Sequence, residues 1–250
     1  MQKNKRIVVK VGTKTIMSAD RAPDGKRLKD LANQISSVMD GGTDVILVTS
    51  GAIGSGMSLL GIKKRPTDLA YLQAAAAIGQ CHLMHLYSEY FHGYKYGIGQ
   101  ILLTQDDFND KERFLNIKHT INTLLKHRSV PVINENDTVA TEEIKCGDND
   151  RLSSLVAVLC NADLLLILSD VDGLLDERGR LIDEVRDIDK RISKLGGKSG
   201  CDLGSGGMAT KLAAVNTARK SGIRCVIANG RERDVIKRII AGEALGTRFD

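Results

Sequence analysis

Tryptophan is missing from this 250-residue chain, proline occurs only three times, and aromatic residues make up just 4%. The core must therefore be built almost entirely from Val, Ile, Leu and Ala, which suits parallel strands covered on both faces by helices. With 42% hydrophobic and 27% charged residues, the composition lacks the bias of a disordered or low-complexity chain. No apolar run is long enough to cross a bilayer, so no membrane association is expected. The first residues, Met1 to Arg6, lead into a strand-like stretch without the apolar segment of a signal peptide. The cysteines Cys81, Cys146, Cys160, Cys201 and Cys225 form no C-x-x-C pair. They read as reduced thiols, against a disulfide framework or a zinc site, and the expected compartment is the cytoplasm.

A concentrated charge of one sign is also lacking. The net charge of +5 is spread among interleaved acidic residues, and the longest basic cluster is Lys63-Lys64-Arg65. Neither an aromatic-rich RNA-binding strand nor a DNA-reading motif is present, so nucleic acid is not an expected partner. A small basic excess equally suits an enzyme handling polyanions such as nucleotides.

What the chain does have is alternation. Strand candidates are Arg6–Val11, Asp44–Thr49, Gly97–Leu103, Val130–Ile133, Leu164–Leu168 and Arg224–Ala228. Between them, Leu28, Leu31, Ile35 and Val38 keep the spacing of one helix face, as do Leu152, Leu155, Val156 and Leu159, and Met208, Leu212, Val215 and Ala218. This β-α-β-α pattern predicts an α/β fold, a mostly parallel central sheet between two helical layers. No repeat or Pro/Gly/Ser linker divides residues 1–250, which read as one domain with two lobes around a cleft. Asp176–Lys190 is expected to be a surface excursion and Gly196–Gly207 a flexible loop.

Ligands in such sheets collect where strands end and helices begin. At the first junction Lys10 sits within the β-branched run before Gly12. A buried lysine there needs an anion, such as a phosphate oxygen; an edge strand with Lys10 in solvent is the alternative. Thr49-Ser50-Gly51-Ala52-Ile53-Gly54 offers N–H groups unobstructed by side chains, suited to cradling a carboxylate or phosphate, or simply to a tight turn. It is neither G-x-G-x-x-G nor a P-loop, which excludes the usual dinucleotide fingerprint. Asn134, Asp137, Asn149 and Asp150 gather beyond the next apolar runs. Asp137 suits an ammonium, Asn134 and Asn149 suit a carboxylate or ammonium, and Asn149 or Asp150 suits a helix N-cap. No His joins them, which disfavours zinc. Finally, Ser169-Asp170 ends an apolar run, and a Gly-rich loop, Gly204 to Gly207, leads into Met208-Ala209-Thr210-Lys211, where amides and an ammonium converge as in phosphate sites.

The stretches VVKVGT, VTSGAIGSG, PVINENDTVAT, EIKCGDNDRLS, LSDVDGL and GSGGMATK, running from Val8 to Lys211, together resemble the amino acid kinase family, most closely its glutamate-phosphorylating members. The resemblance implies an amino-acid-binding lobe over roughly residues 1–160 and an ATP-binding lobe over roughly 161–250. By the same likeness Lys10 and Lys211 grip the transferred phosphoryl group and Asp150 orients them. Ser50, Asn134, Asp137 and Asn149 match glutamate-contacting positions. Ser169, Asp170, Ser205, Gly206, Gly207, Met208, Ala209, Thr210 and Lys211 match the ATP-contacting segments, Ser169 replacing a more common Thr. ATP and Mg²⁺ are the implied cofactors, the metal held mainly by phosphates. A homodimer or higher oligomer, feedback by proline and hand-over of the product to the next enzyme are also implied. Many bacterial members continue into a carboxyl-terminal domain of a type found in RNA-modifying enzymes, which is not expected here.

A glutamate side chain, with a reference pKa of about 4.3, arrives already ionised. The lack of a candidate His base is then unsurprising, since phosphoryl transfer rests on positioning and charge stabilisation. Rival acceptors within the family are acetylglutamate, aspartate, carbamate and UMP, and a non-catalytic amino-acid sensor is a further alternative. Asp137 argues for a free ammonium on the substrate.

Overall fold

The computed structural model describes residues 5–139, 149–197 and 207–250. Its strands are β1 (Arg6–Val11), β2 (Asp44–Val48), β3 (Gly97–Leu103), β4 (Ser129–Glu135), β5 (Leu164–Ser169), β6 (Glu184–Val185), β7 (Arg224–Asn229) and β8 (Thr247–Phe249). They form one sheet in the order β3-β4-β2-β1-β5-β7-β8-β6. All pairs are parallel except β7 with β8. The sheet thus follows the expected α/β plan. The two short strands were not legible in the sequence, and β6 lies within the charged stretch expected to be a surface excursion.

The helices are α1 (Thr13–Ile16), α2 (Gly25–Asp40), α3 (Ala52–Leu59), α4 (Leu69–His92), α5 (Asp106–Asn109), α6 (Lys111–Lys126), α7 (Asn149–Leu159), α8 (Lys190–Leu195), α9 (Met208–Arg219) and α10 (Val235–Ile240). Strand alternation divides the core between them. Ile7, Val9 and Val11 of β1 pack with α2, α4 and α10 on one face. Val8, with Ile46 and Val48 of β2, packs with α6, α7 and α9 on the other. α2 starts where the Asp24 carboxylate accepts the amide N–H groups of Lys26 and Arg27, and its Leu28, Leu31, Ile35 and Val38 stripe is buried as the spacing requires. None of the described helices is long and apolar enough to span a membrane.

Strand order reverses at β1, whose neighbours are β2 on one side and β5 on the other. Such a switch point opens a crevice beyond the carboxyl ends of the strands. One wall of it is α3, which rests on α4 backbone to backbone. A Cβ added at Gly56 would lie 1.8 Å from the Ala75 carbonyl oxygen, and one at Gly79 would lie 1.8 Å from that of Ala52. Gly79→Ala is therefore expected to push α3 away from α4. Overpacking of this kind costs about 1–3 kcal/mol, readable as a lower denaturant midpoint. An unchanged midpoint would show that the helices separate freely.

Candidate active site

Lys10 lies on the α7 and α9 side of β1, near its carboxyl end, and is only 5% exposed. A buried ammonium needs a counter-charge, and the first turn of α7 supplies one. Lys10 Nζ lies 2.6 Å from Asp150 Oδ1, and Lys211 Nζ, from the first turn of α9, lies 3.2 Å from Oδ2. The Thr210 hydroxyl donates to the same Oδ2 at 2.8 Å. Burial pushes the Asp150 carboxyl up, but the two ammonium groups and the bonds from Lys10 and Thr210 outweigh it and hold the group below the usual carboxylate range. Burial pulls the Lys211 ammonium down; Asp150 opposes that, while the charge of Lys10 adds to it. Two lysines face one carboxylate, which leaves a surplus positive charge suited to an incoming anion.

The β2–α3 turn forms a second group. Gly51 adopts φ +98° at the N-cap of α3, a conformation that favours glycine. No described side chain caps the helix after it, which starts with the positive end of its dipole. Asn149 Nδ2 lies within bonding distance of the Thr49 carbonyl (2.8 Å), Ser50 Oγ (3.0 Å) and Asn134 Oδ1 (2.8 Å). Asn134 Nδ2 in turn donates to Gln80 Oε1 at 2.8 Å. Asn149 Oδ1 is buried and has no hydrogen-bond partner among the described residues, so an acceptor is left over for a ligand. Nearby, burial pushes the Asp137 carboxyl up to about 6, with the Arg65 guanidinium partly opposing the rise.

Both groups line one cleft of about 770 Å³, within the usual range for small-molecule sites. Its edge follows the strand order. Asn134 lies on β4, Ser50 after β2, Lys10 on β1 and Ser169 at the end of β5. Ser169 Oγ donates to Asp170 Oδ1 at 3.3 Å, and Asp170 also pairs with Lys14 at 3.0 Å.

Of the residues read from sequence, Lys10, Ser50, Asn134, Asp137, Asn149, Ser169, Asp170 and Lys211 line this one cleft. Gly207 caps α9, and Met208 and Ala209 occupy its first turn. Thr210, matched to the nucleotide by resemblance, spends its hydroxyl on Asp150. Asn149 and Asp150 both lie inside α7, so the N-cap reading does not hold for either. Ser205 and Gly206 lie outside the described residues, as do Cys146 and most of the Gly196–Gly207 loop. Gln80, Lys14 and Arg65 escaped the sequence reading. Gln80 alone left a signal, a polar residue on the buried side of the Ala-rich α4.

The chain matches the amino acid kinase family over residues 5–229. A glutamate 5-kinase of Shewanella amazonensis is 46% identical over 100% of this chain and 67% of its own length. One from Caldanaerobacter subterraneus subsp. tengcongensis is likewise 46% identical, over 98% of this chain and 67% of its own. The chain thus spans about two thirds of these relatives' length. Two solved structures share the fold. A carbamate kinase from Giardia lamblia bound to AMP-PNP has TM-score 0.69 and 18% identity, covering 100% of this chain and 99% of that one. A UMP kinase from Bacillus anthracis has TM-score 0.65 and 17% identity, covering 100% and 97%.

Proposed function

The chain belongs to the amino acid kinase family, and we propose that it transfers the γ-phosphoryl group of ATP to the side-chain carboxylate of L-glutamate, giving L-glutamyl 5-phosphate for proline biosynthesis. The observation that carries this reading is the buried Lys10–Asp150–Lys211 cluster, with one ammonium in excess, beside the polar pocket of Ser50, Asn134, Asp137 and Asn149.

In this reading the amino-acid lobe, roughly residues 1–160, holds glutamate between the start of α3 and the Asn149 network. Asp137 and the free Asn149 Oδ1 receive the α-ammonium, and the N–H groups after Gly51 receive a carboxylate. The nucleotide lies over the second lobe, roughly residues 161–250, against Ser169, Asp170 and the loop Ser205–Lys211. The oxygens of Ser169 and Asp170 fit a hard cation, and Mg²⁺ arriving with ATP would spread charge over the phosphates. Lys10 and Lys211 neutralise the equatorial oxygens as the phosphoryl group passes between donor and acceptor. Asp150 holds both ammonium groups at the required spacing, and the ionised acceptor needs no base. The acyl phosphate product hydrolyses readily, which favours hand-over to a following enzyme. A cytoplasmic homodimer or higher oligomer, restrained by proline, completes the proposal.

The direct test is ATP consumption with Mg²⁺ and hydroxylamine, which traps an acyl phosphate as its hydroxamate. Hydroxamate is expected with glutamate and not with acetylglutamate, aspartate, carbamate or UMP. Turnover with one of those four and none with glutamate would overturn the assignment.

Asp137 adds a pH dependence. Its carboxyl titrates at about 6 in the free protein, and only the ionised form pairs with an ammonium. Glutamate affinity should therefore be full above that value and fall by up to about tenfold per pH unit below it. Calorimetric titrations from pH 5 to 8 read this directly. Asp137→Asn should bind more weakly by about 1.5–3 kcal/mol and lose the acid limb; an acid limb that survives the substitution would remove Asp137 from the ammonium site.

A further inference from the structure

Behind α1, on the opposite face of the sheet from Lys211, lies a second cavity of about 210 Å³. Its floor is apolar, built from Val11, Ile16, Leu31, Leu168, Val235 and Ile236. Lys26, Arg27, Asp30 and Arg231 line it as well, so its charged lining is three cations against one carboxylate, and that carboxylate is hydrogen-bonded to Gln34. The Thr15 hydroxyl oxygen, buried at that wall, has no hydrogen-bond partner among the described residues. Gln34, by contrast, is fully spoken for. Its Nε2 donates to Asp30 Oδ2 at 2.6 Å and its Oε1 accepts the Ile236 N–H at 2.9 Å, which ties α2 to α10 across the cavity.

We propose that this cavity is a regulatory site for a small aliphatic carboxylate. An apolar cavity of about 150 Å³ accepts the six carbons of benzene, so this one takes roughly six to eight heavy atoms. A hydrocarbon tail fills the apolar floor, the carboxylate meets the cationic side chains, and the Thr15 hydroxyl gains the partner it lacks. Nothing in the phosphoryl-transfer reading uses this space.

The site is coupled to the cleft by construction. Thr15, Arg27 and Arg231 line both cavities. Arg27 donates to the carbonyls of Lys14 and Thr15, and Arg231 donates to that of Lys14. The wall they hold is α1, which follows directly on Lys10 and Gly12 and carries Lys14 onto Asp170. An occupant presses α1 toward the nucleotide side of the cleft, so it weakens ATP and, by reciprocity, ATP weakens it.

The test uses isovalerate, with seven heavy atoms, and its uncharged amide as control. Calorimetry on the nucleotide-free protein, with glutamate saturating, should show saturable binding of isovalerate and none of the amide. Leu31→Phe, which fills the floor, should abolish binding, and Lys26→Gln, a milder change that keeps the fold, should weaken it several-fold. In the wild type, isovalerate should raise the KM for ATP at least about fivefold. The binding arm needs no catalysis, so it stands or falls apart from the assigned reaction. Absence of saturable binding, or binding untouched by both substitutions, overturns the site. Binding without any change in the KM for ATP overturns the regulatory role.

Discussion

Asp150→Asn is expected to lower kcat by about 10²-fold or more and to lower folding stability by roughly 3–5 kcal/mol. Asp150 is 1% exposed and faces two ammonium groups that are themselves buried. An amide in its place leaves two uncompensated positive charges in a low-dielectric site, and their repulsion misplaces both. The sign of the pH effect follows from the shift. The folded-state carboxyl is held below 3.8, so its stabilising contribution is present above that value and disappears as pH falls through the folded pKa. Urea midpoints should therefore differ most between the two proteins at neutral pH and converge in acid. Because the acceptor arrives ionised, the kcat profile above neutrality should keep its shape. A basic limb in the wild type that the variant lacks would make Asp150 a proton acceptor and sink the organiser role.

Lys10→Ala and Lys211→Ala should each cost about 10²–10³ in kcat, the usual consequence of deleting one charge contact to a transition state, with a much smaller rise in the KM for glutamate. The stability outcome should be opposite in kind to that of Asp150→Asn. Each lysine variant turns a cluster of two cations and one anion into a single balanced pair, so the surplus charge goes. For Lys211, whose ammonium is already depressed by burial, a Lys211→Met variant that also keeps the packing should melt no lower than the wild type. Near-normal kcat in either alanine variant would take that residue out of the chemistry. A large fall in melting temperature for Lys211→Met would show that the cluster is held for structure.

The parts of this arrangement visible in the sequence were those with a local cost. Lys10 stood out because lysine is expensive inside a β-branched strand, and Gly51 because a strand ended in small residues. The stripe of α2 was legible because one face is solvated. α4 left no such stripe, since Ala and Gly line it on several sides and its burial is set by contact with α3. β6 and β8, of two and three residues, exist only through pairing at the sheet edge, and no local pattern announces them. The same holds in the site. Asp150 was visible among polar neighbours, but its contact with Thr210, 60 positions later, depends wholly on the packing of α7 against α9.

The central place of β1 also governs how the chain can acquire activity as it is made. Its first neighbour, β2, emerges soon after it, but its second, β5, begins only at Leu164, and Lys211 comes later still. At translation rates of about 5–20 residues per second, one edge of Ile7–Val11 waits roughly 8–30 s for its partner. During that interval an apolar strand edge is open to wrong pairing. The lysine–aspartate cluster closes only after α9 has been synthesised, so nascent chains pass through a stage that has the elements carrying Ser50, Asn134 and Asn149 but lacks the second ammonium of the cluster.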